Sequence, residues 1–265
     1  KTPINQQTAM RKSFLTAFIF GLVVLNTYGW GLTGHRVVGE IASFHLSKKT
    51  AKSIQDILGP ESLAMVANWM DEIKSDPSYN KLNSWHYLTV KTGQGYDPSI
   101  QEKSGDAFGK TKMIIAALKN GELDLEEKKA YLKMLVHLVG DLHQPLHIGT
   151  GKDRGGNNEK VTYFNENTNL HTVWDSKIID GKNLSYTELA QHLNRRINKN
   201  LINQYQNAPM DRWLKEAVDL RPIIYDLPDN SRLFYSYGYK TYPIIEERLM
   251  AGGIRLAGIL NEIFS

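Results

Sequence analysis

Between residues 33 and 46 apolar side chains fall at 37, 38, 41, 42, 44 and 46, close to helical spacing, and Ser47 stands where its hydroxyl can cap a second helix running to Leu58. Pro60 opens a third predicted helix that reaches about Lys74. Helical spacing returns over 106–118 and 126–142, the latter stopped by Pro145, whose ring lacks the amide donor and clashes with the preceding turn. Residues 149–158 read as a glycine-rich loop. Residues 159–164 alternate enough for one short strand, with a hairpin through the Asn-rich turn at 165–169, before another helix starts near Leu170. Further helical patterns cover 186–198, 209–220 and 240–263. The pattern predicts an all-α, mainly helical fold with one short β-hairpin. Residues 30–265 contain no linker, repeat or low-complexity break, so one domain is expected there.

The start of the chain is different. Residues 13–25 form one apolar run directly after Arg11 and Lys12, with Met10 as a start and the small residues Thr27 and Gly29 at the positions a signal peptidase selects. This predicts a signal peptide ending at Gly29, cleavage before Trp30, and a secreted or periplasmic protein without stable membrane association. Residues 1–9, upstream of Met10, are read as an extension without a role. A retained anchor is the alternative, although the run is short for a membrane span.

Composition narrows the chemistry. The 265 residues are 41% hydrophobic and 23% charged, ordinary for a globular enzyme, and contain no cysteine. That excludes a disulfide scaffold, a thiolate metal site and a cysteine nucleophile, so any metal must be held by His, Asp, Glu or main-chain groups. The formal charge of +4 is concentrated at the amino end, where Lys1, Arg11 and Lys12 are the only charged residues before Trp30. The remainder is nearly balanced, so a polyanion would not be held by bulk charge.

All histidines but His192 precede residue 172, and several stand at a meaningful spacing from an aspartate. His137 and Asp141 are four apart in a helical stretch, so both leave one face, and His171 and Asp175 repeat the arrangement. One such pair can be a simple surface hydrogen bond. Two pairs with His147 between them, in a chain without cysteine, point to a metal site, because imidazole and carboxylate are what zinc accepts when thiolates are absent. Further candidates lie upstream. Asp71 sits near a predicted helix end, where an acid is unfavourable without a compensating cation. His86, flanked by Trp85 and Tyr87, reads equally as a ligand or a core histidine. His35 lies close to Trp30, whose α-amine signal cleavage would free for chelation.

The ordered strings Trp30-Gly31-x-x-Gly34-His35, Trp69-x-Asp71, Trp85-His86-Tyr87, His137-x-x-Gly140-Asp141-x-His143-Gln144-Pro145-x-His147, Gly155-Gly156-Asn157 and Asn169-Leu170-His171-x-Val173-Trp174-Asp175, with Arg255-Leu256-Ala257 near the carboxyl end, resemble the S1/P1 nuclease family. The resemblance implies a helical fold shared with zinc-dependent phospholipases C and a cluster of three Zn²⁺ ions. It implies a first zinc on Asp71, His86, His137 and Asp141, and a second on His147, His171 and Asp175. The third falls to the Trp30 amine and carbonyl with His35, and Asp141 bridges it to the first. His45, His143 and His192 are left outside the set; His143, two residues from Asp141, is expected to make supporting hydrogen bonds.

The implied reaction is endonucleolytic hydrolysis of single-stranded DNA and RNA to 5′-phosphates, with action on 3′-nucleotides. Zinc would activate water and neutralise the leaving 3′ oxygen. Asp71 and Asp141 would organise the catalytic metals, and Lys74, otherwise a surface lysine, would face the phosphoryl oxygens. Tyr87 would stack an unpaired base, with Asn157 and Asn158 adding polar contacts. Thr89 departs from the family, which often has an acidic residue there, and leaves base preference open. A monomer is expected. The competing functions are a zinc phospholipase C and a non-catalytic zinc- or polynucleotide-binding protein.

Overall fold

The computed structural model describes residues 30–265, so the predicted signal peptide lies outside the described residues. Helix α1 (Leu32–Phe44) and α2 (Lys48–Leu58) are joined through Ser47, whose hydroxyl accepts the Thr50 amide. Short helices α3 (Leu63–Val66) and α4 (Trp69–Glu72) follow, then 3₁₀ turns over Ile73–Ser75 and Pro77–His86. Strand β1 (Leu88–Thr89) leads through a 3₁₀ turn at Pro98–Ile100 to α5 (Ala107–Asn120) and α6 (Leu125–Asp141). A 3₁₀ turn, Pro145–His147, enters β2 (Ile148–Gly149). Strands β3 (Lys160–Tyr163) and β4 (Glu166–Asn169) precede α7 (Leu170–Thr172), a π-helical turn over Val173–Lys177, and α8 (Ile178–Asp180). The rest is α9 (Tyr186–Asn194), α10 (Lys199–Gln206), α11 (Met210–Asp219), α12 (Arg221–Ile224), β5 (Arg232–Leu233) and α13 (Tyr235–Phe264).

The long helices start where side chains satisfy their free amides. Asp106 accepts from Phe108 and Gly109, and Asp124 with Glu127 forms a reciprocal capping box at α6. Once started, α6 buries every residue from Leu132 to Asp141, which is why it forms the centre of the molecule rather than an amphipathic surface helix. Helices α1 and α13 pack against it and against each other, and α5 covers a further side. Val37, Ile41, Leu135, Leu138, Leu249 and Leu256 belong to the apolar cluster between them.

Buried charge ties this core together. Arg248 and Arg255 of α13 both reach Glu216 of α11, and Arg255 also donates to His143 Nε2 at 3.0 Å. His143 Nδ1 donates to the Val139 carbonyl, so both its nitrogens are engaged in packing α6 on α13.

The mainly helical class is as expected, with four local differences. The helix predicted from Pro60 to about Lys74 is broken between Val66 and Trp69: the Asp71 amide bonds to Asn68 instead of continuing the α ladder, which leaves the Ala67 carbonyl for His137. The helix expected over 186–198 ends at Asn194, because Asn198 caps α10 by accepting the Leu201 amide. Residues expected as a turn at 165–169 instead supply β4. It pairs antiparallel with β3 through Val161 and Thr168, and its four polar residues give no apolar alternation to read. Helix α13 starts at Tyr235, where exposed Tyr235 and Tyr239 break the apolar pattern.

Two small parallel pairings escape sequence periodicity. Strand β5 adds to β3, and β1 pairs with β2 in the register Leu88 to Ile148 and Thr89 to Gly149. The second pair follows His147 directly and His86 after Tyr87, and so holds two distant parts of the chain side by side.

Candidate metal centre

His35, Asp71, His86, His137, Asp141, His147, His171 and Asp175 are all buried, although each is a residue type that is costly to bury alone. They come from α1, α4, the 3₁₀ turn before β1, the end of α6, the turn before β2, and the helical segment after β4. Potential ligand atoms lie within 4.8 Å of one another in three groups: His86, His137 and Asp141; His35, Asp71 and His137; His147, His171 and Asp175.

Main-chain carbonyls orient three of the imidazoles. His137 Nδ1 meets the Ala67 carbonyl at 2.7 Å, His147 Nδ1 the His86 carbonyl at 2.6 Å, and His171 Nδ1 the Gly155 carbonyl at 2.6 Å. A carbonyl can only accept, so in each neutral ring the proton is on Nδ1 and Nε2 presents a lone pair. The β1 and β2 pairing explains the second contact, and the break between α3 and α4 the first. The third depends on Gly155, whose φ is +61° and where a Cβ would stand 2.3 Å from the Leu146 carbonyl oxygen.

Ring nitrogens and carboxylate oxygens converge. His86 Nδ1 lies 2.9 Å from His137 Nε2 and 3.1 Å from Asp141 Oδ2, which is itself 3.2 Å from His137 Nε2. The other Asp141 oxygen faces His35 Nε2 at 3.5 Å and His147 Nδ1 at 3.2 Å. One carboxylate therefore stands among four imidazoles. Asp71 Oδ1 is 3.7 Å from His86 Nδ1 and 3.8 Å from His137 Nε2, and His171 Nε2 is 2.9 Å from Asp175 Oδ2. Among the described residues, His35 Nδ1, His86 Nε2, His147 Nε2 and Asp71 Oδ2 are buried without a hydrogen-bond partner. Acceptors crowded this closely, with orphaned nitrogens and oxygens beside them, fit a bound cation.

The electrostatics agree with that fit. Burial lowers His35 and His147, and pushes His86 down to about 4, so these rings are neutral near pH 7. Burial also works against charge on His137, but Asp141 and Asp71 outweigh it and the net shift is upward. Asp141 is held well below the usual carboxylate range: burial opposes this, and His137 and His147 overcome it. Asp175, in contrast, is raised, chiefly by burial.

The remaining expected residues lie as follows. Trp30 is fully buried at the start of the described chain, and the next amide, Gly31, donates to the Asp175 carbonyl at 2.7 Å. His35 groups with Asp71 and His137 as well as facing Asp141, a broader set of neighbours than expected; its ring stacks on His137 with centroids 3.9 Å apart. Lys74 lies on the 3₁₀ turn after α4, with Nζ 2.6 Å from Asp71 Oδ1. Tyr87 is exposed beside buried His86. Asn157 and Asn158 lie on the glycine-rich loop, where the Asn157 side chain donates to the Arg154 carbonyl. Outside the cluster, His45 bonds to Asn194 and His192 is largely exposed.

Two residues were not singled out by sequence reasoning. Gln144 is fully buried, donates to Asp175 Oδ1 and accepts from the Leu146 amide, and Gly140 packs against His35. Both stand inside the longest ordered string, where their place between expected ligands is the available signal.

Among the described residues no helix is long and apolar enough to cross a membrane. Comparison with known proteins matches residues 30–265 to the family S1/P1 Nuclease. Endonuclease 3 of Arabidopsis thaliana is 30% identical over 97% of this chain and 96% of its own, and Nuclease S1 of Aspergillus oryzae 30% identical over 90% and 93%. Among solved structures, the alpha toxin from Clostridium absonum aligns with a TM-score of 0.45 at 15% identity, over 90% of this chain; the chain spans 64% of that longer protein. A family match over every described residue, with relatives named as nucleases aligned along nearly their whole length, means that the chain belongs to the S1/P1 nuclease family of phosphodiester hydrolases.

Proposed function

We propose that residues 30–265 form one catalytic domain that holds three Zn²⁺ ions, hydrolyses single-stranded DNA and RNA to 5′-phosphates, and acts on 3′-nucleotides. The observation that carries this reading is the gathering of buried imidazole nitrogens and carboxylate oxygens into three close groups, with the rings of His137, His147 and His171 aimed by main-chain carbonyls. Asp71, His86, His137 and Asp141 would hold the first zinc, and His147, His171 and Asp175 the second. Trp30, through its amine and carbonyl, would hold the third with His35 and a shared oxygen of Asp141. Two-sided contact of Asp141 with the neighbouring histidines supports its bridging role.

When bound, zinc supplies the Lewis acidity that makes water a nucleophile near neutral pH and offsets charge on the phosphoryl group and departing 3′ oxygen. The protein's own groups do the rest. Asp71 and Asp141 fix the positions of the catalytic metals. Lys74 adds a positive charge at the edge of the cluster, where it can pair with a phosphoryl oxygen while staying near Asp71. Tyr87 offers an exposed ring beside His86 for an unpaired base, and Asn157 and Asn158 offer amide groups to its edge. Duplex DNA shows no open base face to such a ring, so single strands are the favoured substrate.

The phospholipase C reading is opposed by Asp175, since the lipases tend to have Glu at that place and the string from Asn169 to Asp175 has the nuclease form. A non-catalytic binding protein would need blocked metal positions. Export follows the same proposal: removal of residues 1–29 would free the Trp30 amine. The protein would then act as a secreted or periplasmic monomer. Turnover measured in parallel on single-stranded DNA, duplex DNA and phosphatidylcholine tests the reading. Rapid loss of the single strand alone supports it, and hydrolysis of the lipid without cleavage of DNA contradicts it.

A further inference from the structure

We infer that Gln144 is a positioning residue that couples His147 to Asp175 and thereby sets the zinc affinity of the His147, His171 and Asp175 group; this rests on the zinc reading above. Gln144 is fully buried between the end of α6 and Pro145, and both ends of its amide are used. Its Oε1 accepts the Leu146 amide and so caps the turn Pro145–His147. Because that amide can only donate, the side chain cannot be flipped, and its NH₂ group must face Asp175. There Nε2 donates to Asp175 Oδ1.

This arrangement divides the labour of the carboxylate. Oδ1 is occupied by the Gln144 amide, while Oδ2 lies 2.9 Å from His171 Nε2, so Oδ2 is the oxygen that would be offered, with His171, to a zinc ion. The same side chain fixes the turn that carries His147, whose Nε2 lies 4.0 Å from Asp175 Oδ1. A neutral amide is well suited here, because it satisfies one carboxylate oxygen without adding a charge that would compete with the metal. Removing a partner of this kind typically costs about 10- to 100-fold in metal affinity.

Gln144→Glu separates the two contacts. It keeps an oxygen for the Leu146 amide but sets a carboxylate against Asp175 Oδ1. Gln144→Met removes both contacts without adding charge and serves if the Glu variant does not fold. Wild type and variants would be dialysed against a zinc-buffering chelator and analysed for zinc per chain, and the zinc-free proteins melted. The expected result is one fewer retained zinc in the variants, from an affinity about 10- to 100-fold lower at this group, with the zinc-free chain of both variants still folded at the dialysis temperature. Zinc retention equal to wild type overturns the positioning role alone. Zinc loss found only where the zinc-free chain is already unfolded at the dialysis temperature overturns it in favour of packing. A wild type that retains no zinc overturns the underlying metal reading itself.

Discussion

Gly140 lies so close to the His35 ring that a Cβ on residue 140 would stand 2.5 Å from Nδ1 and 2.9 Å from Cε1. The ring is held in place by stacking on His137 and by its approach to Asp141. Gly140→Ala should therefore displace His35, cost about 1–3 kcal/mol in stability from overpacking, and lower kcat/KM by about 100-fold through a misplaced ligand. Zinc analysis and kinetics on single-stranded DNA check this; full activity with unchanged zinc content would mean that His35 is not needed where it stands.

Asp141→Asn keeps the shape of the central side chain and removes its charge. Asn has one oxygen in place of two, so it cannot face His137 on one side and His35 on the other as a bridging carboxylate does. The expected fall in kcat is on the order of 100- to 1000-fold, several kcal/mol of lost charge stabilisation, with fewer zincs per chain. Steady-state kinetics with metal analysis of the same sample measures both effects.

Tyr87→Ala removes the exposed ring next to His86. If stacking contributes about 1–3 kcal/mol per base equally to substrate and transition state, KM should rise about 5- to 150-fold with a smaller change in kcat. The preference for single strands over the matched duplex should shrink with it. A fall in kcat at constant KM would assign the ring to the chemical step.

Much of this was legible before the fold. The spacing of His137 with Asp141 and of His171 with Asp175, and the absence of cysteine, expose a His and Asp metal site because helix geometry puts residues four apart on one side. What stayed hidden is whatever depends on contacts between distant segments. The Ala67 carbonyl becomes an orienting group only because the helix around it is interrupted, and no local preference announces that interruption. The pairing of Leu88 with Ile148 is too short to alternate, yet it sets His147 against the His86 carbonyl. Gln144 looks like a loop residue until its two ends are seen to join Leu146 to Asp175.

The zinc-free protein should lose stability as pH falls from about 7 to about 5. Burial lowers His35, His86, His143 and His147, so the unfolded chain takes up protons in this range that the folded chain refuses, and the slope of stability against pH is positive. His137, raised by its carboxylate neighbours although burial opposes this, and Asp175, raised chiefly by burial, work in the opposite direction but are two groups against four. Thermal melts of chelator-treated protein across this range give the sign directly, and a midpoint that rises toward acid would show that carboxylate attraction dominates the cluster.

The central claim is that zinc gathered by these buried side chains is what lets the chain hydrolyse single-stranded nucleic acid. Its most direct test is to strip protein beginning at Trp30 with chelator, return zinc in stepwise equivalents, and record initial rates on single-stranded DNA together with the chemistry of the new ends. The account predicts no turnover in the stripped protein, recovery that is complete only when three equivalents are bound, and 5′-phosphate ends. Undiminished cleavage by the zinc-free protein, or three bound zincs with no cleavage, would contradict it.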